Sequence, residues 1–107
     1  MKTQEAAHCL AELGNVTRLQ IYRLLVKAGK NGLSVGDIQL ALNIPGSTLS
    51  HHIRRLAKVK LIEQNKAGRT IFCKSQYNKL QEIIDFLVDK CCEGEACLEK
   101  TKISACQ

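Results

Sequence analysis

The chain contains no tryptophan, one proline, one methionine, two tyrosines and two phenylalanines in 107 residues. With aromatics at only 4%, a core must be built from leucine, isoleucine, valine and alanine. Hydrophobic residues still reach 45%, which is ordinary for a packed domain and too high for a disordered segment. Long apolar runs are missing too. None approaches the roughly 18–20 residues of a membrane span, and the opening MKTQEAAHCL lacks a signal peptide's apolar segment. No membrane partner and a cytoplasmic location are therefore expected. One domain usually takes about 100–150 residues, so a second independent fold has no room.

Positive charge and cysteine are what the chain has in excess. Sixteen lysines and arginines oppose ten acidic residues, for a net charge of +6 and a pI near 9.1. The excess is localised. Between positions 43 and 74 lie Arg54, Arg55, Lys58, Lys60, Lys66, Arg69 and Lys74, opposed only by Glu63, which is the electrostatic footprint of a polyanion-binding surface. There are six cysteines. In a reducing cytosol, that number points to free thiols, redox chemistry or metal binding rather than disulfide staples.

Periodicity places a helix over 2–13, with Ala6, Leu10 and Leu13 on one face, stopped by Gly14. Asn15 is placed to cap a second helix carrying Leu19, Tyr22, Leu25 and Val26, widened by Ile21 and Leu24, up to Gly29. Lys30-Asn31-Gly32 reads as a loop. Ser34 followed by Asp37 resembles a capping box opening a short third helix through Leu42. Asn43-Ile44-Pro45-Gly46 breaks the chain, and a fourth helix opens near Ser47 and runs to about Lys58. Two short helices joined by a tight turn form a helix-turn-helix pattern. The period then changes. Leu61–Asn65 and Arg69–Lys74 are β-prone runs joined by Lys66-Ala67-Gly68, a hairpin signal. Leu80, Ile83, Ile84, Leu87 and Val88 mark a last amphipathic helix ending near Lys90. The fold expected is mainly α with a small β-hairpin, a winged helix-turn-helix of order α-α-α-α-β-β-α. Residues 1–90 would form the DNA-binding and dimerisation domain and 91–107 a cysteine-rich tail.

The stretches LGNVTRLQIYRLL, LSVGDIQLALNIPGSTLSHHIRRLAKVKLI and KAGRTIFCK together resemble the arsenical-resistance repressor family, the ArsR/SmtB type. The resemblance covers roughly residues 5–90, and its most specific part is STLSHHIRRL followed at once by a hairpin with Gly68-Arg69. It implies a homodimeric winged-helix repressor, released from operator DNA when a metal or metalloid inducer binds. The sequence departs from the pattern at Lys60, where many members carry glycine before the first wing strand.

Ser47, Thr48, Ser50 and His51 fall in the first turns of the recognition helix, where hydroxyls and imidazole donate to base edges or phosphates. Arg54 lies four residues after Ser50 and Arg55 four after His51, so each pair shares a face, and both guanidinium groups are expected to reach a base or the DNA backbone. Leu49, Ile53 and Leu56 take the opposite, core-facing side. Lys66 and Arg69 at the hairpin tip are placed for flanking phosphates or a minor groove. One recognition helix reads too few bases, so a homodimer spanning two half-sites of double-stranded operator DNA is expected, joined through the first and last helices.

Cys91 and Cys92 follow the last helix, with Cys97 four residues further on and Cys106 near the end. Consecutive helical residues point about 100° apart, so a shared ion requires the chain to unwind there, which Gly94 permits. Three soft thiolates suit a thiophilic centre. The family resemblance implies As(III), or the related Sb(III), as the inducer held by Cys91, Cys92 and Cys97, with no organic cofactor. The family's third-helix site reads here as Ser34-Val35-Gly36-Asp37 and lacks its cysteines. The last helix has no histidine for a zinc site, and the second has no cysteine for a sulfide-sensing pair. Other readings of the same thiols stay open: a structural zinc site with Cys106 as a fourth ligand, Zn, Cd or Pb sensing, a redox pair between Cys91 or Cys92 and Cys97, or cysteines incidental to the tail. Cys73 reads as a small buried residue on a wing strand, and Cys9 has no assigned role. A cysteine-based enzyme would need a phosphate-cradling loop or a CxxC at a helix start. Neither is present, so no enzymatic activity is expected.

Overall fold

A computed structural model describes residues 1–90; the tail thiols Cys91, Cys92, Cys97 and Cys106, expected to form the inducer site, lie outside the described residues. The elements are α1 (Thr3–Leu13), α2 (Val16–Ala28), a 3-10 turn (Gly29–Asn31), β1 (Leu33–Ser34), α3 (Val35–Leu42), α4 (Gly46–Lys58), β2 (Ile62–Ala67), β3 (Thr70–Ser75) and α5 (Tyr77–Val88). This is the expected helix-turn-helix followed by a wing. One addition is β1, too short to show a period. It pairs antiparallel with β3, giving a three-stranded sheet of order β1-β3-β2.

Local chemistry sets the helix ends. The Asn15 side chain accepts from the Arg18 N–H at 3.0 Å, and the Ser34 hydroxyl accepts from the Asp37 N–H at 3.0 Å, each satisfying a donor that the first turn leaves orphaned. Asn43 closes α3 in the left-handed region, φ 52°, where its N–H reaches the Gln39 carbonyl at 2.8 Å.

The core is aliphatic, as the lack of aromatics required: Ile21, Leu25, Ile38, Leu49, Leu56 and Leu61 are fully buried together with Cys9 and Cys73. Two stripes are rotated from their sequence reading. In α1 the inward residues are Ala6 and Cys9, while Leu10 is 38% exposed. In α2 Ile21, Tyr22 and Leu25 point inward with Arg18, while Leu19 is 43% exposed. A small thiol and a hydrogen-bonded guanidinium fill positions that hydrophobicity alone gives to leucine.

Two backbone constraints tie the wing to the helices. A Cβ on Gly32, φ 67°, would lie 2.2 Å from the Cys73 carbonyl oxygen, so only glycine lets β1 lie against β3 here. At the end of α4, Lys60 donates its N–H to the Ala57 carbonyl at 3.0 Å and Leu61 to the Leu56 carbonyl at 3.1 Å. This is a Schellman closure, with Leu56 and Leu61, both fully buried, supplying its hydrophobic contact. The closure puts Lys60 at φ 65°, a conformation costing a residue with a Cβ about 1–2 kcal/mol. Glycine avoids that cost but loses about 0.5–1 kcal/mol of backbone entropy. Lys60→Gly should therefore raise stability by about 0.5–1 kcal/mol; urea denaturation showing an unchanged or lower midpoint contradicts the strain.

Candidate nucleic-acid interface

Helix α4 is divided lengthwise. Leu49, Ile53 and Leu56 are 4% exposed or less, and full burial of such a side chain stabilises the seat by about 1.5–3 kcal/mol each. The other side carries Ser47, Thr48, Ser50, His51, Arg54 and Arg55, all exposed. The helix begins one residue before Ser47, at Gly46, and its N-cap Pro45 provides no side-chain acceptor. The first-turn N–H groups are thus left open beside the Ser47 and Thr48 hydroxyls, an arrangement that favours an anion. Arg54 has no hydrogen bond or ion pair among the described residues. Between α1 and α4 runs a groove of about 610 Å³, lined by His8, Glu12, His51, Arg54, Arg55 and Lys58 among others. Its rim is predominantly cationic.

The wing differs slightly from the expected hairpin. Ala67 pairs with Thr70, so the turn is Gly68-Arg69 and the strands reach closer to the tip. Gly68 has φ 66° and Arg69 does not enter the left-handed region, the pattern of a two-residue turn whose twist matches the flanking strands. Arg69 therefore stands at the apex. Lys66 lies opposite Ile71 one pair below, and both cations are exposed. Lys74 is engaged by Glu63 at 3.4 Å.

Among the described residues, no group of three or more His, Cys, Asp or Glu side chains is arranged to hold a metal ion. The two described cysteines are packing residues. Burial pushes the Cys73 thiol up to about 11, and burial likewise raises Cys9, whose Sγ lies 3.7 Å from the Val59 carbonyl oxygen. Both stay protonated at neutral pH and make poor ligands or nucleophiles.

A polar cluster absent from the sequence reading flanks α4. Arg18 is 8% exposed. Its Nε donates to the Glu12 backbone carbonyl at 2.7 Å, and its guanidinium lies 3.2 Å from His52 Nδ1. Because arginine only donates, Nδ1 must accept, so His52 is neutral with its proton on Nε2. The Glu12 carboxylate takes two Arg55 donors, Nε at 2.7 Å and Nη2 at 2.9 Å, and lies 3.6 Å from Arg18 Nε. The Arg55 hydrogen bond, with the two arginine charges, holds its carboxyl below the usual range. The one available signal was spacing: Arg18 lies three, four and seven residues before the buried Ile21, Tyr22 and Leu25. Burial, then the Arg18 charge and those of His51 and Arg55, lowers the His52 pKa. An unfolded histidine takes its proton near pH 6.5, so as pH falls the unfolded chain is protonated first and the fold loses stability below about that value. His52→Asn, which keeps an acceptor near Nδ1 without titrating, should flatten this loss in denaturation midpoints followed from pH ~7.5 to ~5.5. An equally steep loss in the variant would assign it to other groups.

Residues 13–65 match a family model described as a helix-turn-helix domain. An uncharacterised helix-turn-helix transcriptional regulator of Methanocaldococcus jannaschii is 34% identical over 89 residues, covering 83% of this chain and 97% of that protein. The structure of HlyU from Vibrio cholerae, whose sequence is described as a transcriptional activator, superposes with a TM-score of 0.68 at 28% identity, covering 87% of this chain and all of that one. An ArsR-like transcriptional regulator from Rhodococcus superposes with a TM-score of 0.69 at 25% identity over 78% of this chain and 76% of its own. These relatives are transcriptional regulators rather than enzymes. No helix among the described residues is long and apolar enough to cross a membrane. With its exposed α4 and basic wing, the chain belongs to the helix-turn-helix transcriptional regulators, of the ArsR-like type.

Proposed function

We propose that the chain is a homodimeric repressor that holds operator DNA through α4 and the wing and lets go when As(III), or Sb(III), is bound by Cys91, Cys92 and Cys97. The observation that carries the DNA side is the exposed polar face of α4, on which Arg54 has no partner among the described residues, beside the wing cations. Ser47, Thr48, Ser50, His51 and Arg54 face the major groove, Arg54 reading a base edge, while Lys66 and Arg69 take flanking phosphates. The dimer reading is supported by apolar surface left uncovered on α1 and α5, where Leu10 is 38% and Leu87 59% exposed.

The inducer reading rests on the chemistry of the donors. With Cys9 and Cys73 buried and protonated, the thiols left for a thiophilic centre are those that follow α5. Three thiols condense with arsenous acid to give three As–S bonds and three waters, with no electron transfer. Release then requires only that the inducer bind the DNA-incompetent state better. The relative named as an activator makes the sign of regulation a measured outcome. A promoter fusion should be silent until arsenite is added. Expression that needs the protein would contradict repression.

Arg54→Ala should weaken operator binding by about 1–3 kcal/mol and relax specificity at one position, read by a fluorescence titration at fixed salt. Unchanged affinity would make Arg54 a bystander. Cys97→Ser should keep DNA affinity but stay bound at arsenite doses that dissociate the wild type. Dissociation at the wild-type dose excludes the three-thiol site and favours the redox or Zn, Cd and Pb readings.

A further inference from the structure

We infer that Glu12 and Arg18 are positioning residues for DNA recognition: they strut α4 against α1 and α2 through Arg55 and His52, and Arg55 acts through Glu12 rather than as a phosphate contact. The inference deepens the DNA-binding reading above and rests on it. The apolar seat of Leu49, Ile53 and Leu56 fixes how deep α4 lies, but branched aliphatic contacts alone tolerate a small roll about the helix axis. His52 and Arg55 flank that seat, and both are gripped from outside the helix. Arg18, buried on α2, is fixed by the Glu12 carbonyl at 2.7 Å and meets His52 at 3.2 Å. Glu12, on α1, receives the Arg55 fork at 2.7 and 2.9 Å. The Glu12 side chain is only 12% exposed, whereas that of Arg55 is 48% exposed, so the inner partner is the fixed one and the helix is held by it. A two-point fork fixes direction as well as distance, which a single ammonium does not. Base-edge hydrogen bonds weaken steeply as their angle departs from linear, whereas the charge attraction of a phosphate contact has no preferred direction. The strut also joins α1, one of the helices assigned to the dimer, directly to the reading helix.

The test titrates two duplexes, the DNA upstream of the chain's own coding sequence and a random-sequence duplex, over a salt series with the full chain. The proteins are wild type, Glu12→Gln, Arg55→Lys and Arg55→Gln. The strut predicts that all three variants lose on the order of tenfold in the ratio of specific to random-sequence affinity, beyond any common shift that the changed charge gives to both duplexes. Glu12→Gln is the sharpest arm, since removing a negative charge beside DNA should otherwise strengthen binding. If Arg55 instead contacts a phosphate, Arg55→Lys binds both duplexes as wild type. Arg55→Gln then weakens both equally and lowers the salt slope by about one, and the inference is overturned. The Arg55 variants change an exposed side chain, so they report even if Glu12→Gln does not fold. A wild-type chain that binds neither duplex overturns the DNA-binding reading and this inference together; wild-type binding with the phosphate pattern overturns this one alone.

Discussion

A guanidinium with almost no access to water is the constraint around which the DNA-reading half of the molecule is arranged. Arg18 cannot be neutralised, so its burial requires acceptors in fixed places. The fold supplies the Glu12 carbonyl at the end of α1 and the Nδ1 of His52 on α4, with the Glu12 carboxylate close by. Three helices are thereby joined at one side chain. Removing any acceptor leaves a buried charge short of partners, which costs more than the pair itself contributes. The neutral state of His52 follows from that requirement, while the low proton affinity of Glu12 comes first from the Arg55 fork, with the Arg18 charge adding to it.

The division of α4 has the same origin in opposing demands. One side meets the aliphatic core, and the other must stay wet, polar and unpaired to meet a polyanion. Arg54 satisfies the second demand, with no partner among the described residues, while Arg55, its neighbour in sequence, is drawn back to α1. The wing extends the cationic surface with Lys66 and Arg69 on a tight turn, and Lys74 is held by Glu63.

Much of this was legible in the sequence where a local rule decides the outcome. Asn15 and Ser34 cap helices because their side chains reach an amide three residues on. Leu49, Ile53 and Leu56 face inward because helical spacing leaves no alternative once the polar residues between them are counted. The break at Asn43–Gly46 and the strand-prone runs after Leu61 placed the turn and the wing. What escaped depends on contacts between distant segments. Gly32 is required by the Cys73 carbonyl, forty-one positions away, and Glu12 meets Arg55 from forty-three positions away. Arg18 was hidden for a different reason: a charged residue on an apolar stripe reads as surface until its acceptors are known. Leu10 and Leu19 were drawn inward by hydrophobicity but are 38% and 43% exposed, the first on a helix assigned to the dimer.

The central claim is that two copies of α4 enter adjacent major grooves and are withdrawn by a thiol-bound metalloid. Hydroxyl-radical footprinting of the wild-type dimer on its upstream DNA tests it most directly. The account predicts two protected tracts centred about 10 base pairs, or one helical turn, apart on one face of the duplex, both lost on adding arsenite. A single protected tract, or two that persist with every thiol titrated by arsenite, would contradict it.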